Sequence, residues 1–484
     1  MVLVDKKFFE ERNKKRNYLH FDKKRSPSFV YEYVINPSNI VKHSFYPFIF
    51  YNLVDNKIKR VAKYYNNKLK FHPLSKPPLI IHHHLYPFIS YTLTNKANIE
   101  GYKYVLNSPK VRGISYASHL DSDIYAYYSR LLETPYEKFL VDNNLEDCSL
   151  AYRKVERVID GKLVSKCNIH FSKDVFDIIR TKKDCIVLCY DVENFFDRFD
   201  HQILKKNWCD LLQNTQLPPD HYKVYKSLTR FASVDKEELY KELGLSLNSK
   251  TLHKRYEVLC SSKDFRDRIR GKRLINVNKS GKGIPQGSPI SGLLSNVYMI
   301  EFDKEVNSYL AQLGGKYFRY SDDMIFIIDK EQEQQAISFI KCAIQKIKLN
   351  INNKKTQRVE FKDGFINHDI NNRSFNNPDK LQYLGLLFDG KQVFLRETGQ
   401  TRYRRKLRKA VRMRTAHYRR LKEKDNLNSP NMYMRTLHTR FTYIGQRNYV
   451  SYAFRASRIH ESKNIKRQVK GHYNLFNDYL NKKK

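Results

Sequence analysis

The chain has 484 residues, of which 41% are hydrophobic, a length and composition that suit two or three folded domains and exclude a disordered chain. Its 90 Lys and Arg exceed its 50 Asp and Glu by 40, and this charge of +40 favours a polyanionic partner such as a nucleic acid. The sequence has no apolar run of about 18 residues that would cross a membrane, and its 7 cysteines lack zinc-like spacing, which fits a reducing cytoplasm.

The first third of the chain contains one clear helix. Residues 1–100 are basic and rich in aromatic side chains, but their pattern predicts no definite element. The stretch "LDSDIYAYYSRLLETPYEKFLVDN" that follows predicts a helix, because its apolar positions recur at helical spacing. These positions are Ile124, Tyr127, Tyr128, Leu131 and Leu132.

The middle of the chain alternates strands and helices. "CIVLCYD" predicts a short buried strand, and residues 201–282 read as a polar, partly helical region that is inserted or peripheral. After "GIPQG", Ser288 and Pro289 predict a helix start. A strand–turn–strand unit, "KYFRYSDDMIFIID", then precedes the helix "EQEQQAISFIKCAIQKIKL" and the hairpin "LQYLGLLFDGKQVFL".

The composition changes at about residue 391. From Lys391 to Lys484 there are 26 Lys and Arg but 5 Asp and Glu, so this segment carries +21 of the net charge. "RYRRKLRKAVRMRTAHYRRLK" predicts a helix with an interrupted apolar stripe. Its charged face is either simply solvated or a binding surface for nucleic acid. The high density of positive charge favours the binding surface.

Two adjacent carboxylates, Asp322 and Asp323, stand in the most strand-like segment of the chain. Neighbouring carboxylates repel each other, so the pair marks either an exposed turn or a metal site. Asp191 ends the strand "CIVLCYD". If that strand lies beside the hairpin, three carboxylates converge, and this donor set suits two Mg²⁺ ions that catalyse nucleotidyl transfer. The glycine-rich "GKGIPQGSPIS" allows a close backbone approach to a nucleotide, with Gln286 in reach.

Taken in order, these motifs resemble those of reverse transcriptases. "YDVENFFDRFDH", "GIPQGSPISGLLSNVYM", "RYSDD", "LNINNKKT" and "LQYLGLLFDG" are similar to the family's motifs A to E. The resemblance implies an α+β fold, a right-hand polymerase with fingers, palm and a helical basic thumb. It divides the chain into an N-terminal extension (1–100), fingers and palm (101–390) and a basic helical thumb segment (391–484).

The resemblance also implies the residues that carry the chemistry. Asp191, Asp322 and Asp323 match the metal-binding triad, and Val192 matches the position whose backbone carbonyl joins them. Two Mg²⁺ ions are the implied cofactors. Lys355 matches the motif D lysine near the departing pyrophosphate.

Further positions match contacts with the nucleotide and the primer. Phe196 matches the aromatic gate that would clash with a 2′-hydroxyl, so that dNTPs are chosen over rNTPs. Gln286 matches the motif B glutamine, Arg153 and Arg112 match finger arginines near the triphosphate, and Gly385 lies in the primer grip "YLGLL".

The subtype rests on departures from the family pattern. The chain shows no RNase H, integrase or endonuclease pattern and no retron-type "NAxxH" or "VTG" signature, and its plan resembles the bacterial defence-associated (unknown-group and abortive-infection) lineages. A group II intron or retron enzyme and a non-catalytic RNA-binding maturase are the alternatives. The expected partners are dNTPs, a structured non-coding RNA template and a cDNA product. No membrane is expected, and a homo-oligomer is compatible with the sequence.

Overall fold

The computed structural model describes residues 6–16, 18–28, 30, 83–94, 111–159, 161–247, 257–367, 379–425 and 434–481. Most of the predicted N-terminal extension, residues 1–100, therefore lies outside the described residues. The described elements combine helices with antiparallel sheets, so the predicted α+β class is confirmed.

The helices lie at α1 Lys6–Lys15, α2 His119–Asp142, α3 Asn168–Lys182, α4 His201–Leu211, α5 Pro219–Thr229, α6 Lys236–Glu242, α7 Ser262–Asp264, α8 Ser291–Tyr298, α9 Ile300–Gln312, α10 Glu333–Lys346, α11 Glu397–Asp425, α12 Met434–Phe441, α13 Tyr449–Ile459, α14 Lys463–Lys470 and α15 His472–Asn481. The strands lie at β1 Phe88–Thr94, β2 Val111–Tyr116, β3 Glu156–Ile159, β4 Lys162–Ser165, β5 Cys185–Asp191, β6 Ala232–Asp235, β7 Asn276–Val277, β8 Lys316–Tyr320, β9 Asp323–Ile328, β10 Gln357–Lys362, β11 Phe365–Ile366, β12 Leu381–Tyr383, β13 Leu386–Phe388 and β14 Val393–Leu395.

The central sheet is antiparallel, with the strand order β11-β10-β5-β9-β8. Successive side chains of a strand point to opposite faces, and both faces of this sheet are covered. Ile186 and Phe326 belong to one hydrophobic core, which also holds side chains of α2, α4, α8, α9 and α10. Val187 and Ile327 belong to a second core, built with α3, β12 to β14, α13 and α14. This two-sided burial explains why β5 and β9 read as continuous apolar runs.

Residues 201–282 are not a peripheral insertion, so this prediction was wrong. Leu204 and Trp208 of α4 and Leu228 of α5 are fully buried in the first core. Strand β6 pairs in parallel with β1, which gives a second sheet with the order β2-β1-β6-β7. The exposed polar residues in the described part of this region lie on the outer faces of short helices and in the loops between them, and they hid the apolar positions.

The helix after "GIPQG" also begins later than predicted. α8 starts at Ser291, and the Ser291 hydroxyl donates a hydrogen bond to the Pro285 carbonyl over 2.7 Å. Ser288 does not cap the helix with its side chain; its hydroxyl is buried and has no partner among the described residues. Residues 285–290 instead form a turn, in which the Gln286 carbonyl accepts a hydrogen bond from Ser115 of β2.

The C-terminal segment is helical, as predicted. Tyr403, Leu407 and Val411 of α11 are buried, and they pack into a separate core with α12 and α15. α13 and α14 contribute Ala453 and Ile465 to the second core of the central sheet. The basic segment is therefore joined to the central sheet by apolar packing. None of the described helices combines the length and the apolarity that a bilayer crossing requires.

Candidate active site

Asp191 and the two hairpin aspartates lie at the same end of the central sheet. Asp191, the last residue of β5, is paired directly with Asp323, the first residue of β9. The next residue, Val192, donates its backbone N–H to the Asp322 carbonyl over 3.3 Å. Asp191 is 9% exposed, Asp322 is half-buried and Asp323 is exposed. The three carboxylates therefore share one end of two neighbouring strands, at the edge of the core.

The segment around Lys355 closes over the end of β5. The backbone N–H of Glu193 donates to the Asn350 carbonyl over 2.9 Å, and the N–H of Asn352 donates to the Asp191 carbonyl over 2.7 Å. The following 3₁₀ turn, Asn353–Lys355, carries the lysine. The Lys355 ammonium forms an ion pair with the Asp191 carboxylate, so the structure brings this predicted residue to the triad.

Phe196 lies in the turn after β5, beside the glycine-rich loop. The Phe196 carbonyl accepts a hydrogen bond from Ile284 N–H over 2.9 Å. Gly283 has φ +81°, and a Cβ at this position would lie 2.9 Å from the Asp197 carbonyl oxygen, so only glycine fits here. The Phe195 ring is buried in the core, whereas the Phe196 ring is only partly buried.

Gln286 connects the same loop to strand β2. Its carbonyl accepts a hydrogen bond from Ser115 N–H over 2.8 Å. Gly287 has φ +118°, and a Cβ there would meet the Ser115 carbonyl oxygen at 2.6 Å. The Gln286 side chain is partly exposed. Arg112 lies three residues before Ser115 on the same strand, and its side chain is exposed.

Arg153 is held by other protein groups in this structure. Its Nε and Nη2 donate to the two carboxylate oxygens of Glu137 over 2.8 and 2.5 Å, and its Nη1 donates to the carbonyls of Glu146 and Ser149. The side chain is 5% exposed. Its predicted contact with a triphosphate therefore stays a prediction, and such a contact would have to replace part of this network.

Gly385 lies in the tight turn between β12 and β13. Leu384 and Gly385 both have positive φ, +45° and +88°. The Leu384 carbonyl accepts a hydrogen bond from Asn168 Nδ2 over 3.2 Å, and this bond connects the predicted primer grip to α3. The hairpin predicted in "LQYLGLLFDGKQVFL" is also present, between β13 and β14, with its turn at Asp389-Gly390.

A buried ion pair that the sequence analysis missed lies behind the aspartate hairpin. The side chains of Arg319 in β8 and Asp303 in α9 are 0% and 1% exposed. Arg319 donates to both Asp303 oxygens (2.8 and 2.5 Å) and to Asn296 Oδ1 (3.1 Å), Ser149 Oγ (3.1 Å) and the Ser321 carbonyl (3.3 Å). All five N–H groups of the guanidinium are used.

This network supports the turn that carries the aspartates. Ser321, which precedes Asp322, has φ +64°, a backbone conformation that residues other than glycine rarely adopt. Burial alone would lower the pKa of the Arg319 guanidinium, but the Asp303 charge and its hydrogen bonds raise it instead. The only sequence signal for this arrangement was an arginine between Phe318 and Tyr320 in an otherwise apolar strand.

A second residue that the prediction missed is Tyr152, at the outer side of the same turn. The Tyr152 hydroxyl lies 3.2 Å from Ser321 Oγ. The ring packs over Gly292 of α8, where a Cβ would meet a ring carbon at 2.7 Å. Tyr152 is 53% exposed and has φ +59°. The hydroxyl contact thereby connects the segment after α2 to the aspartate turn.

The carboxylates fit magnesium in their chemistry. Within the described ranges, no three His, Cys, Asp or Glu side chains form a set that could hold a metal ion as they stand. The Lys355 ammonium forms an ion pair with the Asp191 carboxylate and compensates its negative charge. The donors at this end of the sheet are carboxylate and backbone oxygens, which are the ligands that Mg²⁺ prefers.

Comparisons with known proteins agree with these motifs. A family model described as "Reverse transcriptase (RNA-dependent DNA polymerase)" matches residues 109–388, more than half of the chain. The retron Mx162 reverse transcriptase of Myxococcus xanthus is 35% identical over 65 residues. This match spans 13% of the chain and 13% of that relative's own length.

Solved structures of telomerases are also similar. Apo telomerase from Candida tropicalis, truncated from its C-terminal domain, is 12% identical with a TM-score of 0.38, and the match covers 60% of this chain and 53% of that one. Telomerase from Candida albicans in complex with a TWJ fragment of telomeric RNA is 10% identical with a TM-score of 0.38, and the match covers 88% and 67% of the two chains.

Proposed function

This chain belongs to the reverse transcriptase family, and from that premise we propose that it is an RNA-directed DNA polymerase that extends a primer with dNTPs. The observation that supports the proposal most is the direct pairing of Asp191 with Asp323, next to Asp322 and beside Lys355. Family membership alone would also suit an RNA-binding maturase without activity. The presence of all three carboxylates at one end of the sheet favours the enzyme.

Asp191, Asp322, Asp323 and the backbone carbonyl of Val192 would hold two Mg²⁺ ions. When bound, such ions activate the primer 3′-hydroxyl and stabilise charge on the departing pyrophosphate. Lys355 holds a proton at Nζ and donates it to that pyrophosphate. Its contact with Asp191 is consistent with this role, because it brings the ammonium to the carboxylate end of β5.

The neighbouring residues select and orient the nucleotide. The Phe196 ring lies under the sugar and excludes a 2′-hydroxyl. Gln286 contacts the incoming nucleotide and template, and its loop is held at fixed distance from both β2 and the Phe196 turn by the hydrogen bonds described above. Arg112 and Arg153 contact the triphosphate. Arg112 is exposed and can do so directly, whereas Arg153 must first give up its ion pair with Glu137.

The template is a dedicated, structured non-coding RNA, and the enzyme acts in the bacterial cytoplasm in antiphage defence. The charge of +40 supports a nucleic-acid partner. A retron-type enzyme is the second candidate, and the local identity to the retron Mx162 reverse transcriptase favours it. In both cases the enzyme copies one RNA rather than cellular transcripts at large.

Primer extension tests the activity. The purified protein is given a DNA primer on an RNA template, dNTPs and Mg²⁺, and the products are separated by length. Extension that stops when the metal is chelated is expected. Absence of extension with several primer and template types, by protein that binds RNA, would favour the maturase alternative.

The template is tested separately, by sequencing the RNA and DNA that purify with the protein from its native host. One abundant RNA encoded beside the gene, with cDNA complementary to part of it, is expected. A diffuse mixture of host transcripts would contradict a dedicated template. A retron-like inverted repeat in the neighbouring RNA gene would favour the second candidate.

A further inference from the structure

The turn between α12 and α13 exposes two large apolar side chains. Tyr443 is 62% exposed and Ile444 is 53% exposed, although both lie in a short connection between packed helices. Single exposed apolar residues are common on protein surfaces. Two adjacent ones on a tight turn, with aromatic neighbours, call for a specific explanation.

The turn is rigidly built. A Cβ on Gly445 would lie 1.7 Å from the Thr439 carbonyl oxygen, so this position accepts only glycine. Asn448 Nδ2 donates to the carbonyls of Thr439 (3.0 Å) and Thr442 (2.6 Å), and the Thr442 hydroxyl donates to the His438 carbonyl over 2.8 Å. Tyr443 and Ile444 are therefore presented in one fixed arrangement, which lowers the entropy cost of binding a partner.

Aromatic rings from α12 and α15 continue the exposed surface. The Tyr473 ring, 36% exposed, has its centroid 6.1 Å from that of Tyr443. The His438 ring stacks on Tyr473 at 6.1 Å, with an interplanar angle of 27°. The buried His472 supports Tyr443 edge-on from below, at 5.8 Å. The rings of Tyr443, Tyr473 and His438 therefore form one cluster, and Ile444 follows Tyr443 in the chain.

The segment that contains this surface is strongly basic. Residues 434–473 contain 9 Lys and Arg and a single acidic residue, Glu461. Arg440 and Arg447, on either side of Tyr443 in the chain, are both exposed. A protein partner would have to bring matching acidic groups, whereas a nucleic acid supplies phosphates together with flat bases that stack on aromatic rings.

We propose that Tyr443, Ile444 and Tyr473 form a stacking surface for unpaired nucleotides of a bound RNA. Bases in a duplex are stacked on one another, so only unpaired bases offer their faces to these rings. The surface is built from α12, α15 and the turn after α12, and not from the strands that carry the aspartates. The inference rests on the proposed function only in taking a nucleic acid as the partner, and it does not depend on the polymerase reaction.

Binding of a labelled, unstructured single-stranded RNA of about 20 nucleotides tests this surface. Tyr443→Ala and Tyr473→Ala are each expected to weaken binding by about fivefold to 150-fold, the effect of removing one base–aromatic stack. Tyr443→Phe keeps the ring and should bind as the wild type does. Tyr222→Ala removes a tyrosine of α5 that is 44% exposed, and this control should leave the affinity unchanged.

Two further readouts separate stacking from charge and from catalysis. The slope of log affinity against log salt should stay the same in Tyr443→Ala, because no cation is removed. Incorporation of one nucleotide at saturating primer–template should also stay the same in Tyr443→Ala. The binding test itself requires no polymerase activity, so it remains valid even if the wild type fails the primer-extension assay. Unchanged RNA affinity in both alanine variants would overturn the proposal. So would a self-associating wild type whose Tyr443→Ala variant is monomeric, since the surface would then join two copies of the chain.

Discussion

Replacing Arg319 with methionine is expected to destabilise the protein by about 3–5 kcal/mol, the cost of removing one partner from a buried ion pair. The side chains of Arg319 and Asp303 are 0% and 1% exposed, so water cannot take the place of the guanidinium. The substitution leaves the Asp303 carboxylate buried without its cation. It also removes the donors to Asn296, Ser149 and the Ser321 carbonyl.

Two companion variants divide this effect. Arg319→Lys keeps the positive charge but has three donors in place of five, so it should be destabilised less, although the Ser321 carbonyl is still left without its partner. Arg319→Met combined with Asp303→Leu should recover part of the stability, because no charge then remains buried. If Ser321 sets the position of the aspartates, Arg319→Lys should incorporate dNTPs more slowly with little change in KM.

Equilibrium unfolding in urea measures the free energies. Lys346→Met is the matched control, because it breaks the ion pair of Lys346 with Glu305, which lies in the same helix as Asp303. The side chains of Lys346 and Glu305 are 56% and 39% exposed. This surface pair should contribute less than about 1 kcal/mol. A destabilisation of Arg319→Met no larger than that of Lys346→Met would refute the reasoning, and so would wild-type turnover in Arg319→Lys.

Three further predictions concern the sugar, the basic helix and acid stability. Phe196→Ala should lower the ratio of kcat/KM for dNTP to that for rNTP, since the clash with the 2′-hydroxyl disappears; an unchanged ratio would make Phe196 a packing residue. Changing the exposed Arg404, Arg405 and Arg412 of α11 to glutamine should make the slope of log affinity against log salt for duplex binding shallower, by about 0.9 for each phosphate that these side chains no longer neutralise. An unchanged slope would mean that these arginines face solvent and do not bind nucleic acid. Burial and nearby cations lower the pKa of His460 from 6.5 to about 4. Between these values the unfolded chain binds a proton that the folded chain does not, so stability falls as the pH drops, by up to about 1.4 kcal/mol per pH unit. His460→Gln should remove that share of the acid sensitivity in urea unfolding at pH 7 and pH 5, and an unchanged pH dependence would contradict the assignment.

Removing the whole basic segment would be a poor test of its charge. Ala453 and Ile465 complete a core that also contains strands of the central sheet, so truncation from about Arg402 would expose side chains of that sheet as well as remove cations. Substitutions on the exposed face of α11 change the charge while leaving Leu407 and Val411 packed.

The sequence predicted best where local pattern and burial agree. β5 and β9 were visible because both faces of each strand are covered, so their apolar runs are unbroken. Their adjacency could be expected only from the need to bring Asp191 to the hairpin carboxylates, and the strand register confirms it. The glycine-rich loop packs closely against the chain itself, since Gly283 lies against the Asp197 carbonyl and Gly287 against the Ser115 carbonyl. Its approach to a nucleotide stays a prediction.

The features that the sequence did not reveal depend on distant partners. Arg319 finds Asp303 on a preceding helix, and no spacing rule links a strand arginine to that carboxylate. Arg153 is similar, because its network with Glu137 is set by how α2 packs on the segment after it. The start of α8 was misplaced because Ser288 has the right chemistry for a cap, whereas the chain uses Ser291 to hold the loop at the Pro285 carbonyl.

The central claim is that the carboxylates at the end of β5 and β9 carry DNA synthesis on an RNA template. Its most direct test is rapid-quench incorporation of a single dNTP by Asp191→Asn, Asp322→Asn and Asp329→Asn. Asp329 follows β9 at its far end and forms an ion pair with Lys182, so it matches the chemistry of the change without lying at the proposed site. We expect incorporation at the background level in the first two variants, with RNA binding retained, and near the wild-type rate in the third. Wild-type incorporation by Asp191→Asn or Asp322→Asn, or equal impairment of all three, would contradict the claim.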